Sequence, residues 1–249
     1  MRILLILIAI GNFVAAAVPR AAGMVESVGA RAMEGGIRPE LPPGLFFAII
    51  WNIIFLLYLL HAVTSMRRAS YADQQLLRPL IGVGLTIILW MLVAQFLLNI
   101  WLDLVLLFPV LVLAWTCSYR IDRLDGFDGT GERLVLCAMT GLLSGWITTA
   151  VSISIPEAVA HVMGHGASDY VWRYLWLTLA CAGLIAFAFT RWISRSLWFF
   201  VGLGWGIAGI AANNITRLDM PLLGYVAILA GIFIWYRRLS KGARGALIR

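Results

Sequence analysis

Long apolar stretches, separated by short polar segments, run along the whole chain. Eight stretches predict helices, at residues 3–18, 44–65, 79–101, 103–119, 133–155, 170–189, 195–213 and 219–236. About 20 apolar residues cross the hydrocarbon core of a bilayer as a helix, which satisfies its own backbone hydrogen bonds. The pattern therefore predicts an all-α fold, a polytopic membrane helix bundle with about eight transmembrane helices.

The first stretch has two interpretations. It follows Met1-Arg2 and precedes small residues at Ala15-Ala16-Ala17 and Ala21-Ala22, as in a cleaved signal peptide. Alternatively, it is the first helix of the mature protein. We favour retention, partly because of a resemblance described below.

Composition supports a membrane location. Of the 249 residues, 62% are hydrophobic and only 12% are charged, which is too few charged groups for the surface of a water-soluble domain. The formal charge is +7, but the basic residues stand at the ends of apolar stretches. The partner we expect is therefore membrane lipid, and no nucleic acid.

The distribution of basic residues predicts the orientation. With eight spans, five of the 19 Lys and Arg residues fall on one side and the other 14 on the side of both termini. Because basic loops stay in the cytoplasm, we expect an integral protein, interpreted as one of a bacterial inner membrane, with cytoplasmic N- and C-termini. The five residues on the far side are Arg20, Arg31, Arg38, Arg173 and Arg217.

The fifth apolar stretch is rich in small and hydroxylated residues. Gly141 and Gly145 permit close approach of another helix. Ser144, Thr148 and Ser152 are four residues apart and share one helix face, which either bonds a neighbouring helix or lines a cavity. In the seventh stretch, Gly202, Gly206 and Gly209 favour packing.

Tryptophans and a few polar groups lie deep in the predicted helices. Several rigid aromatic faces meeting inside a bundle suit a flat apolar ligand, although each also suits simple helix packing. Gln95 and Asn99 need hydrogen-bond partners in lipid. Asp103 falls in a short turn, where we expect interfacial solvation. The deep tryptophans are Trp51, Trp90, Trp101, Trp146 and Trp205.

Catalytic and metal motifs are weak. His161 and His165 have the i, i+4 spacing of a metal pair, but they fall in a predicted loop with Gly164 and Gly166. No metal is expected, and this pair is the weak candidate. The acidic loop after the fourth stretch does not match a calcium loop, and we expect it to be solvated. Its acidic residues are Asp122, Asp125, Asp128 and Glu132.

Neither a nucleophile–base pair nor a nucleotide-binding fingerprint is present. The sequence therefore favours a non-catalytic protein over an enzyme. One long connection, residues 19–43, either covers the bundle as a lid or is a plain solvated connector.

Three segments carry a resemblance to a family. Pro42-Pro43-Gly44-Leu45-Phe46-Phe47 leading to Trp51, then Gln95 to Trp101, then Trp146 to Ala150, resemble in order the signature regions of the translocator protein family (TspO/MBR, tryptophan-rich sensory proteins). Asn12 and Pro19 resemble the first helix of longer relatives. Departures from the family pattern are Leu45, Phe55, Leu142-Leu143 and Ser154.

The resemblance implies a long, divergent member with two parts. Residues 1–158 would form the five-helix core, and residues 159–249 a three-helix membrane extension with a basic cytoplasmic tail. It also implies an intramembrane cavity that binds a tetrapyrrole (porphyrin) or a sterol-like molecule, no required cofactor, and a homodimer. The implied ligand-binding residues are Phe47, Trp51, Asn99, Trp101, Trp146 and Ala150.

The resulting hypothesis is a membrane receptor or carrier for a hydrophobic polycyclic small molecule, with a sensory or transport role. Two alternatives remain open: a membrane enzyme that modifies a lipid or pigment, and an assembly subunit of a larger membrane complex.

Overall fold

A computed structural model describes residues 1–21, 38–67, 70–97, 99–124, 126–165 and 171–240. All regular structure in these ranges is helical, which confirms the predicted fold class. The helices are α1 (Arg2–Ala21), α2 (Gly44–Arg67), α3 (Tyr71–Phe96), α4 (Ile100–Asp122), α5 (Thr130–Val162), α6 (Val171–Ala188), α7 (Leu197–Thr216) and α8 (Pro221–Ser240), with a π-helical turn, Phe189–Ile193, directly after α6.

Seven of these helices are long and apolar enough to cross a membrane, namely α2 to α5, the continuous stretch Trp172–Ile193, α7 and α8. The first helix contains a shorter apolar stretch, Arg2–Ala17. Large apolar side chains remain exposed on the outside of the bundle, among them Leu56, Leu184 and Phe233. An exposed apolar exterior is what lipid contact requires, so the chain is an integral membrane protein.

The third helix begins eight residues before its predicted start. Ser70 caps α3, because its hydroxyl accepts from the backbone N–H of Asp73 and its own N–H donates to the Asp73 carboxylate. This capping box starts a helix among residues too polar for a hydropathy pattern to include. The predicted end at residue 101 was also wrong, because Asn99 caps α4 instead.

The fifth helix is longer than predicted at both ends. It continues through Pro156 to Val162. Proline has no backbone N–H to donate, but packed neighbours in a membrane bundle can satisfy the carbonyl group that is left without a partner, so the helix tolerates it. The placement of His161 in a loop was therefore wrong, since this residue lies in the last turn of α5.

Buried side chains form two apolar clusters, one built by α1 to α5 and one by α6 to α8. A seam of small residues joins α5 to α7. A Cβ atom on Gly145 would collide with the carbonyl oxygen of Phe199, and one on Gly202 would lie 2.5 Å from the carbonyl oxygen of Leu142. The two backbones therefore touch, as predicted for these glycines.

The hydroxyl face of α5 packs rather than lining a cavity. Ser144, Thr148 and Ser152 are all fully buried. The Ser144 hydroxyl lies 3.0 Å from that of Ser118 on α4, whereas Thr148 and Ser152 donate to carbonyl oxygens one turn earlier in their own helix. Of the two roles open from the sequence, bonding to a neighbouring helix is therefore found for Ser144, while Thr148 and Ser152 bond within α5.

Candidate functional site

Five aromatic side chains from α2, α3 and α5 meet inside the bundle. We call them the aromatic cluster: Phe47, Trp51, Phe55, Trp90 and Trp146. Trp51 is central, since its ring centroid lies 5.2 Å from Phe55 in a stacked arrangement, 5.8 Å from Trp90, and 6.5 Å from Trp146 edge-on. Phe47 meets Trp146 at 5.0 Å, also edge-on. These distances are those of favourable aromatic pairs.

The cluster forms because successive members share one helix face. Phe47, Trp51 and Phe55 are spaced by four residues on α2, so their side chains lie above one another. Trp146 reaches them from α5, where it is 1% exposed. Its indole N–H has no hydrogen-bond partner among the described residues. Such a buried donor costs about 1–3 kcal/mol relative to a satisfied one.

A carboxylate closes one end of the cluster. Asp103, in the first turn of α4, accepts a 2.7 Å hydrogen bond from the indole N–H of Trp90, and its second oxygen lies 3.4 Å from the hydroxyl of Ser154. The expected interfacial solvation of Asp103 is therefore incomplete, because this half-buried side chain is bonded to two other helices.

The segment before α2 is attached to the same end of the bundle. Residues 38–43, here called the entry segment, are held by Arg38, whose guanidinium donates to Glu157 on α5 at 2.8 Å and to Glu40 at 3.2 Å. On α7, the side chains of Asn213 and Asn214 donate to the carbonyl oxygens of Arg38 and Pro39.

Charge and burial act in opposite directions on the pKa values of Arg38 and Glu40 in the entry segment. Burial alone would lower the pKa of Arg38, but the carboxylates of Glu157 and Glu40 outweigh it and raise the pKa. Burial raises the pKa of Glu40, and this effect outweighs the positive charge of Arg38, which lowers the pKa. Of the connection 19–43, proposed as a lid or a plain connector, residues 19–21 belong to α1 and residues 38–43 are anchored as described. Residues 22–37 lie outside the described residues.

Three of the six sequence-predicted site residues, Phe47, Trp51 and Trp146, meet in the aromatic cluster. Ala150 is half-buried one turn beyond Trp146. Asn99 is exposed, and its side-chain oxygen accepts from the backbone N–H groups of Trp101 and Leu102. Trp101 is 45% exposed, so the structure does not bring Asn99 and Trp101 into the cluster.

The two candidate metal-binding histidines have other neighbours. The ring of His161 lies edge-on to Trp101 at 6.4 Å, and Nδ1 of His165 is hydrogen-bonded to the hydroxyl of Tyr174. Within the described ranges, no three His, Cys, Asp or Glu side chains gather as a metal site.

Two members of the aromatic cluster, Phe55 and Trp90, were missing from the sequence-predicted site, as was Asp103 at its end. The spacing of Phe55 four residues after Trp51 was a usable signal. Trp90 stood out as a deep tryptophan, but no local pattern says which helix it faces. The role of Asp103 depends on two partners from other helices, so only the folded chain reveals it.

Comparison with known proteins identifies a family. A family model described as TSPO-like protein matches residues 2–237, so the match extends through the last three helices. No curated protein and no solved structure matches the chain.

Proposed function

The chain belongs to the TSPO-like protein family, and from this membership and the aromatic cluster we propose that it is a membrane receptor or carrier for a flat, apolar, polycyclic molecule. The ligand class is a tetrapyrrole or a sterol-like compound, and binding involves no covalent chemistry. The role is sensory or transport.

One observation carries the proposal. The indole N–H of Trp146 lies among aromatic rings and has no hydrogen-bond partner in the part of the chain that the structure describes. In the interior of a membrane bundle, an unsatisfied donor is costly because no bulk water is present to satisfy it. A ligand that brings an acceptor atom to this N–H relieves the cost, whereas an aliphatic lipid chain does not. The donor therefore selects for a molecule with a polar atom at its edge.

The surrounding rings supply the apolar contact. Phe47 and Trp51 stand edge-on to Trp146, and a planar ligand enters by parting these rings and replacing ring–ring contacts with ring–ligand contacts of similar energy. We assign Ala150, a small, half-buried residue one turn beyond Trp146 on α5, to the space beside the ligand. We assign the polar anchor to Trp146 rather than to Asn99, because the Asn99 side chain is exposed and occupied in capping α4.

Titration with protoporphyrin, followed by its absorbance band, tests the proposal. Saturable binding is expected, and Trp146→Phe, which keeps a ring but removes the N–H, should weaken it by about tenfold through the loss of one hydrogen bond. Trp115→Phe is the matched control, because the Trp115 indole N–H is also buried without a partner among the described residues but lies outside the cluster.

Two results would contradict the proposal. The first is the absence of saturable binding for both protoporphyrin and a sterol analogue. The second is an equal loss of affinity in Trp146→Phe and Trp115→Phe, which would place the ligand elsewhere in the bundle.

A further inference from the structure

A cavity with a partly polar lining lies at the opposite end of the bundle. There, the end of α4, the start of α5 and the link between the π-helical turn and α7 enclose a cavity of about 160 Å³. Asp103 and Glu157 lie near the start of α4 and the end of α5, whereas this cavity contacts Asp122 and Arg133 at the other ends of the same helices. The cavity is therefore separate from the aromatic cluster.

Size restricts what this cavity holds. The volume of about 160 Å³ lies below that of pockets for drug-sized ligands, which start at about 300 Å³. The cavity therefore suits a small polar group better than a polycyclic molecule.

Buried hydroxyl groups from three elements line part of the cavity. Ser118 on α4 and Thr140 on α5 both line it, and the Thr140 hydroxyl donates to a carbonyl oxygen of its own helix. Ser196, just before α7, also lines the cavity and is 6% exposed, yet its hydroxyl has no hydrogen-bond partner among the described residues. A buried polar group in this state is expected to bind water or a ligand.

Among the described residues that line the cavity, one carries a negative charge and one a positive charge. Asp122, the last residue of α4, and Arg133, in the first turns of α5, are both half-buried and line the cavity. Asp122 also accepts a 3.3 Å hydrogen bond from the hydroxyl of Ser194, which positions its carboxylate. The sequence placed Asp122 in a solvated loop, whereas the structure places it at the cavity.

From these features we propose that the cavity binds a small zwitterionic group. Its ammonium would lie against Asp122, its anionic oxygens against Arg133, and one oxygen would accept from the Ser196 hydroxyl. Opposite charges at one half-buried mouth match a zwitterion better than a simple anion or cation, because either ion alone would face one repulsive partner. Helix ends lie at the level of lipid headgroups.

Two sources share this chemistry: the headgroup of phosphatidylethanolamine and a free soluble zwitterion. Phosphoethanolamine, added to protein in lipid-free detergent, probes the free form by calorimetry. Native mass spectrometry of protein from nanodiscs of mixed phosphatidylethanolamine and phosphatidylglycerol probes the lipid form. Ethanolamine and inorganic phosphate, each carrying one of the two charges, are the chemical controls.

Asp122→Asn, which keeps the shape of the side chain, should reduce zwitterion binding at least about tenfold in whichever assay detects it, and Ser196→Ala by roughly threefold to tenfold. Matched controls are Arg191→Gln, an exposed residue in the π-helical turn near the same end, and Ser152→Ala, a buried hydroxyl that donates within α5. Both should bind like wild type.

Enrichment of phosphatidylethanolamine that Asp122→Asn abolishes identifies the lipid as the source. Binding of soluble phosphoethanolamine without such enrichment identifies a free ligand. The proposal is overturned if neither probe binds, if phosphate alone binds as tightly as phosphoethanolamine, or if correctly folded Asp122→Asn and Ser196→Ala both bind like wild type. Each result leaves the protoporphyrin titration unaffected, because the two sites are at opposite ends.

Discussion

Nη1 of Arg38 donates a 2.8 Å hydrogen bond to Oε1 of Glu157, across 119 residues of sequence. This contact joins the entry segment to the end of α5. Both side chains are mostly shielded, with exposed fractions of 19% and 29%. A charged hydrogen bond in this environment contributes more than an exposed ion pair, but partial solvent access reduces its value.

Glu157→Gln should therefore lower the free energy of unfolding by about 1 kcal/mol. A double-mutant cycle with Arg38→Gln should show coupling of similar size, measured by thermal unfolding in detergent. Glu132→Gln serves as the control, because the Glu132 carboxylate accepts from the backbone N–H of Asp128 in the adjoining loop. Zero coupling between Arg38 and Glu157 would show that the contact does not hold the segment.

The buried carboxyl group of Glu40, next to Arg38, predicts that the stability of the folded protein depends on pH. Burial raises its pKa in the folded state above the unfolded value near 4.5. A carboxyl group with a raised folded pKa contributes most to stability below the unfolded pKa, and that contribution is lost as the pH rises through the folded pKa. Glu40→Gln does not titrate, so its stability relative to wild type should increase as the pH rises above about 4.5. Unfolding midpoints of both proteins, measured at several pH values above about 4.5, give the change in this stability difference with pH. A stability difference that falls as the pH rises would contradict the prediction.

The glycine seam between α5 and α7 should not tolerate a methyl group. Gly145→Ala forces the two backbones apart and is expected to cost about 1–3 kcal/mol, as overpacking usually does. In Gly183→Ala, on α6, the new Cβ would meet no atom within 4 Å. This control should be neutral, or stabilising by up to about 1 kcal/mol, because alanine favours helix. Equal thermal stability of the two variants would argue against a close-packed seam.

Asn99 distinguishes helix capping from ligand binding. Its side-chain oxygen accepts from the N–H groups of Trp101 and Leu102 at 3.0 and 3.1 Å. Asn99→Ala should cost about 1 kcal/mol of stability, whereas Asn99→Asp should retain most of the cap. Neither change should alter protoporphyrin affinity, because Asn99 lies outside the aromatic cluster. A selective loss of affinity in Asn99→Ala, with stability intact, would restore the anchoring role implied by the family resemblance.

Part of the fold could have been predicted more accurately from local signals. The capping box Ser70-Tyr71-Ala72-Asp73 marks the start of α3, and Asn99 marks the start of α4. A hydropathy pattern overlooks both because the residues involved are polar. The i, i+4 spacing likewise links Trp51 with Phe55, although it does not identify Trp90 as their partner.

The sequence by itself determined the class of protein, the number of helices and their approximate positions. This follows because a backbone in lipid must satisfy its hydrogen bonds within each segment, so about 20 apolar residues specify a spanning helix wherever they occur. Family membership was also readable from short motifs in the right order, and the match over residues 2–237 confirms that membership.

Only the tertiary structure decided which faces of the helices meet. In a soluble helix, polar residues mark the outside, but here both the lipid side and the protein side of a helix are apolar. On α2, the adjacent apolar residues Phe55 and Leu56 are 2% and 61% exposed. No local pattern separates these two residues. Nor does a local pattern predict the seam between α5 and α7, the partners of Arg38 or the cavity that Ser196 lines. These depend on contacts between residues far apart in the chain.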